Sequence, residues 1–458
     1  MASLARRDFL KAAAGAAAAA CGWSGRPLLA QEPGRRPSQA DTVRVLNPQA
    51  RVPVSLIIDD STCLVNLAHF AMPQFAEVWP GRKDYQKPWQ KTPREIPDAF
   101  VRKFGQWCRE RGIKGKYSIV PYPACVGWID RELPGWAHRD LEASLDLVRT
   151  LMLPDWDIHP EMVSHTWVID TRTGRPYGER SIRFMENWGW TTGKSVDELA
   201  DYMAYALRIL KNVGLPCEGI TTPGGFGSRV LPELAQATLQ ACRDVFQAEI
   251  PHYFRHAFTD GRSVAPRVEY ASGLGGPDPR CVVSIIACTG DPFGGWDGMG
   301  EGNVDQLVSK DLQSGHLIGP IERGEPAIMA CHWPGIYSEG REVGFQVFQE
   351  AVARLHQRYD HLVWMKLSEI ARYWAARELT EVTREAGAVS LNAPFACPRF
   401  TLSVAGSKGA PRLLAGGQPQ PLRQVAKLLD LRPGTWLQEK AGVIVCFDLP
   451  KGRSRLEA

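Results

Sequence analysis

The chain has no block of like charge, no CxxC pair and no apolar run suited to a stable membrane span. Without a basic block, nothing points to nucleic acid. Without CxxC, the eleven cysteines give no ligand spacing, and those in apolar runs such as VVSIIACTGD and AIMACHWPG read as buried free thiols. There is no internal repeat, and no low-complexity tract beyond the first thirty residues. Nothing specifies an oligomeric state. What is present is an ordinary globular balance, 44% hydrophobic and 23% charged, over 458 residues. The formal charge of +4 sits mainly at the start, where Arg6, Arg7, Lys11 and Arg26 face only Asp8. The rest is near neutral, so steering of charged partners should be weak.

The stretch RRDFLKAAAGAAAAACGW resembles a twin-arginine export signal, with residues 1–30 removed after Ala30. It implies a periplasmic or extracellular protein, exported folded, in which a disulfide or two could form. Lipid attachment at Cys21 lacks the usual Leu three residues upstream. Residues 31–50 are polar and Pro-rich and read as a linker.

From 51 to 380 short apolar strand patterns alternate with helical ones. VPVSLIIDD, IKGKYSIVPYP, CEGITTPGGFG, CVVSIIACTGD and PAIMACHWPG read as strands. In SVDELADYMAYALRILKNVG, Ser195 caps a helix, Glu198 completes a capping box and Gly214 ends it. Repeated strand–helix units predict a mostly parallel sheet covered by helices. Several strands end in polar residues, and in a β/α barrel those ends share the functional face. Residues 385–458 change texture to short strands between Gly/Pro turns, predicting a small β-rich accessory domain.

Four stretches then carry chemistry: LIIDDS, DIHPEMVSHTWV, ITTPGGFGSR, and CTGDPFGGW with AIMACHWPGIY. Their order over residues 50–375 resembles the polysaccharide deacetylase (NodB-homology) superfamily. The resemblance implies an α/β fold, a deformed (β/α)7 barrel, with a divalent metal ion, zinc foremost, at its mouth. Asp59 would be the general base and Asp60 a metal ligand beside it. His165 would be a second ligand. Glu161 stands where the family has its other His, and His159 lies two residues upstream, so the third ligand is either Glu161 or His159. The family's arginine, partner of the catalytic Asp, is missing; Thr221 or Thr222 stands near its place, followed by Pro223, Phe226 and Gly227. The intervening Gly-Gly offers backbone N–H groups to an oxyanion instead. His332 would be the general acid, with Asp291 orienting it. Trp188, Trp190, Trp296, Trp333 and Phe226 are candidate walls for a sugar ring, in a chain with fifteen tryptophans. The resemblance implies an exported hydrolase of a non-peptide C–N bond, with a glycan N-acetyl group or a small amide as substrate. Its rivals are an allantoinase-like ureide or cyclic amide hydrolase and a carbohydrate-binding barrel without catalysis.

Overall fold

Val52–Asp59 (β2) is apolar on both faces, and all eight residues are buried. Such a strand belongs inside a parallel sheet covered on both sides. In the computed structural model, which describes residues 36–385 and 387–457, it lies between β3 (Gly115–Ser118) and β11 (Ala327–His332), both parallel to it. β4 (Trp156–His159) continues the sheet beyond β3, and β12 (Leu362–Trp364) pairs with the start of β2. A short hairpin, β5 (Ile169–Asp170) and β6 (Arg175–Pro176), follows β4.

A second sheet holds β7 (Gly219–Thr221), β8 (His252–Ala257) and β10 (Arg280–Ala287) in parallel, with β9 (Arg267–Ser272) antiparallel at its edge. The two sheets meet at two seams. At one, Thr221 N–H donates to the Pro160 carbonyl (3.1 Å); at the other, Cys288 N–H donates to Ile328 (2.9 Å). Leaving aside β12, which pairs only with the start of β2, seven parallel strands thus stand in ring order, but among the described residues they do not form the one closed ladder that a barrel requires. The mixed α/β class stands; in place of a single deformed (β/α)7 ladder, the described residues form two sheets joined at seams. The helix Val196–Asn212 carries the capping box at Ser195, with Glu198 reaching back.

The C-terminal part is two five-stranded sheets. One runs β13 (Glu381–Glu385), β14 (Ala388–Ala393), β21 (Gly452–Glu457), β16 (Arg412–Ala415) and β17 (Gln418–Gln420). The other runs β1 (Val43–Val45), β15 (Cys397–Ala405), β20 (Gly442–Leu449), β19 (Thr435–Gln438) and β18 (Arg423–Gln424). β1 lies within the stretch read as linker. Val43 and Val45 are buried and pair with Val404 and Leu402, so that part is a structural strand. The helix Leu367–Leu379 packs Ile370, Tyr373 and Trp374 into a cluster shared with these sheets and with Ile57 and Ile328. The ten described cysteines are free, and all but Cys125 are buried. No helix among the described residues is long and apolar enough to cross a membrane. The export signal and Cys21 lie outside the described residues.

Candidate active and metal site

Side chains alternate along β2, so Asp59 shares the face of Ile57, while Leu56 and Ile58 join the core under the surrounding helices. Asp59 is the register partner of His332 on β11. The two therefore emerge on one face at neighbouring strand ends. Lys116, on β3, is register partner of Ile57 and lies on that same face. Its fully buried ammonium contacts Asp59 Oδ1 at 2.5 Å. Burial pushes the Asp59 carboxyl upward and Glu161 adds to this, while Lys116 and His332 oppose it.

Asp60 turns away from the strand with φ of 61°, a left-handed conformation that costs a non-Gly residue about 1–2 kcal/mol. The turn aims its N–H at Glu161 Oε2 (2.7 Å) and brings Oδ1 to 3.1 Å from His165 Nε2. Glu161 Oε1 lies 3.5 Å from His165 Nδ1. His165 is itself at φ 65°. One ligand atom from each of Asp60, Glu161 and His165 lies within 4.8 Å of the others, and all three residues are buried. Asp60 Oδ1 and His165 Nδ1 have no hydrogen-bond partner. Buried polar atoms are rarely left so, since each orphan costs about 1–3 kcal/mol. Two carboxylates and an imidazole whose lone pairs converge without satisfying one another fit a divalent cation.

Behind His165 sits Glu186, fully buried. Its carboxylate accepts from Ser164 N–H (3.0 Å), His165 N–H (2.6 Å) and the Tyr202 hydroxyl. Burial pushes its pKa up to about 8 against those donors. Asn187 follows, with Nδ2 3.4 Å from His165 Nε2 and a buried Oδ1 without partner. The Asn187 carbonyl takes the N–H of Gly225, so that amide is engaged and not offered to an oxyanion. His332 Nδ1 meets Asp291 Oδ2 at 2.6 Å, and Asp291 Oδ1 is fixed by Phe293 N–H (3.0 Å).

His159 is placed elsewhere. It ends β4 facing inward, with Nε2 3.0 Å from His252 Nε2 and Nδ1 3.4 Å from Thr221 Oγ1. Glu161, past Pro160, is the residue beside Asp60 and His165. His159, His252 and Asp157 make a second group of three within 4.8 Å. Burial lowers both imidazoles, His252 to about 4, and Lys116 further lowers His159. Asp157 accepts from Ser368 N–H (2.6 Å) and Oγ (2.8 Å), with Lys366 Nζ at 3.8 Å. A neutral imidazole pair sharing one N–H···N bond, flanked by lysines, accounts for the facing nitrogens of this group without a cation, and leaves His252 Nδ1 without a partner.

Two aromatic candidates are core. Phe226 is fully buried, and Trp333 packs on Phe100 and Tyr117 at 5.1 and 5.4 Å. Trp190 is half-buried on Tyr202 (4.4 Å). Trp188 and Trp296 do come together: both lie against Phe75, at 5.3 and 5.6 Å, in a patch with Trp79 and Tyr85. They sit on the loops that carry Asn187 and Asp291. Lys116, Phe75, Trp79 and Tyr85 were not singled out from sequence. The only sequence signal for Lys116 is a lysine inside an otherwise strand-like run, GKYSIV.

No protein-family model matches the chain, and no curated protein matches it. Among solved structures it is similar to a probable polysaccharide deacetylase from Pseudomonas aeruginosa PAO1: 12% identity, TM-score 0.40, covering 71% of this chain and 91% of that one. It is also similar to Puue allantoinase: 12% identity, TM-score 0.37, covering 77% of this chain and 97% of that one.

Proposed function

We propose that the protein is a metal-dependent hydrolase of a non-peptide C–N bond, with an N-acetyl group on a glycan as first candidate. One observation carries this reading: the buried convergence of Asp60, Glu161 and His165, with unpartnered Asp60 Oδ1 and His165 Nδ1, beside Asp59 and His332. Those three residues would hold the ion. When bound, a divalent cation supplies Lewis-acid chemistry, stabilising negative charge on an acyl oxygen and making water more acidic. Asp59, whose burial favours uptake of a proton, takes one from the attacking water. His332, held through Nδ1 by Asp291, gives a proton to the departing nitrogen as the C–N bond breaks. Trp188 and Trp296 offer faces on which a sugar ring stacks. Ester deacetylation would use the same groups. The export signal read at residues 1–30 belongs to this proposal and suits a glycan outside the cytoplasm.

Zn²⁺-loaded protein, incubated with acetylated chito-oligosaccharides, should release acetate, and Asp59→Asn should lose most of that release. Turnover of a small ureide without acetate release would favour the allantoinase-like reading. Retained oligosaccharide binding with neither turnover would sink catalysis and leave a binding barrel.

A further inference from the structure

Asp59 faces a cation from the next strand. Lys116 is level with Ile57, two residues short of Asp59, an offset of about 6.6 Å along a strand that its four-carbon stem can span. Its three ammonium hydrogens have three acceptors: Asp59 Oδ1 at 2.5 Å, the Ile58 carbonyl at 2.9 Å and Ser118 Oγ at 2.7 Å. The side chain is wholly buried, and neither Asp60, Glu161 nor His165 is among its hydrogen-bond partners. A charge taken this far from water persists only when paired and fully bonded. A tripod of that kind cannot rotate without losing an acceptor, so it fixes the carboxylate it holds.

We propose that Lys116 is the positioning residue for Asp59: by clamping Oδ1 it leaves the second carboxylate oxygen turned to the reaction. This rests on the functional reading above and deepens it. The residue performs from β3 the pairing for which the stretch just before Pro223 has no arginine, Thr221 and Thr222 standing there.

The test uses the full chain loaded with Zn²⁺ and acetylated chito-oligosaccharides as probe. Lys116→Met should lower kcat about 100-fold or more with KM within about threefold, the size of effect that goes with a misplaced general base. Lys116→Arg, which keeps the charge but not the tripod, should recover at least about tenfold of that loss. Zn²⁺ affinity by calorimetry should be unchanged in Lys116→Met. A kcat near wild type in Lys116→Met, or loss of Zn²⁺ affinity in step with kcat, overturns the proposal. An activity-independent arm compares denaturant unfolding of Lys116→Met with Asp59→Asn/Lys116→Met. The double variant, free of an unpaired buried carboxylate, should be the more stable. If the wild type releases no acetate, the hydrolase reading fails by itself; if the double variant is no more stable than the single, the pairing fails.

Discussion

Two groups in this molecule have nearly the same donors. Asp60, Glu161 and His165 form one; Asp157, His159 and His252 form the other. They differ in where the lone pairs go. In the second, the imidazoles meet each other at 3.0 Å and Asp157 takes both Ser368 donors. In the first, Asp60 Oδ1 and His165 Nδ1 are left over; in the second only His252 Nδ1 is, the ring nitrogen other than the one that meets His159. The second group stands on regular strands β4 and β8, the first on loop residues, two of which, Asp60 and His165, are twisted to positive φ. Proximity of ligating side chains therefore does not define a cation site. Unspent ligand atoms that face one another on strained backbone favour the first group, because a folded chain keeps neither without compensation.

The comparison breaks most sharply on metal affinity. Asp60→Asn should weaken Zn²⁺ binding by about 100-fold or more in calorimetry, and Asp157→Asn should leave it within about threefold. Equal losses would mean that the two groups had been told apart wrongly. A smaller effect is expected from the support of the first group. Glu186→Gln replaces one of the two oxygens that accept from the Ser164 and His165 amides by an NH2 donor and should cost about ten- to a hundredfold in Zn²⁺ affinity.

The second group should announce itself through pH. An unfolded imidazole takes a proton near pH 6.5, whereas His252 in the folded chain does so only near 4. Between those values the unfolded state binds more protons, so stability is lost as pH falls through that window. The loss should be about 2 kcal/mol between pH 7.5 and 5 from this group alone. Urea unfolding of wild type and His252→Gln at both pH values checks it, and the variant should show a shallower decline. Smallest is the effect at the rim. Trp188→Ala should raise KM for the oligosaccharide about tenfold with kcat unchanged, since stacking on one ring face is worth about 1–2 kcal/mol.

Elements whose apolar residues were consecutive were legible in the sequence: β2, β10 and β11, and the helix announced by Ser195 and Glu198. β8 was not, because HYFRHA breaks its apolar pattern with two histidines and an arginine. The helix Leu67–Val78 was hidden by Pro73 inside it. At the site, the gathering of the Asp59–Asp60 pair, His165, and His332 with Asp291 at one end of the sheet was foreshadowed because each lies at or beyond the end of a strand. Choosing between His159 and Glu161 could not be done by counting. It turns on where β4 stops: His159 is still on the strand and faces inward, while Glu161 lies beyond Pro160. Lys116 was illegible for a different reason. Its partner is defined by strand register, and register between distant strands is not a local property.

β1 has one further consequence. Val43 must find Val404, so the sheet it joins can be completed only when both ends of the chain exist. A ribosome emits the first of these long before the last, and such distant pairing is slow to form. The C-terminal sheets are therefore not a detachable module: expressed from residue 385 alone, they would present β15 as a bare edge, open to pairing with another molecule.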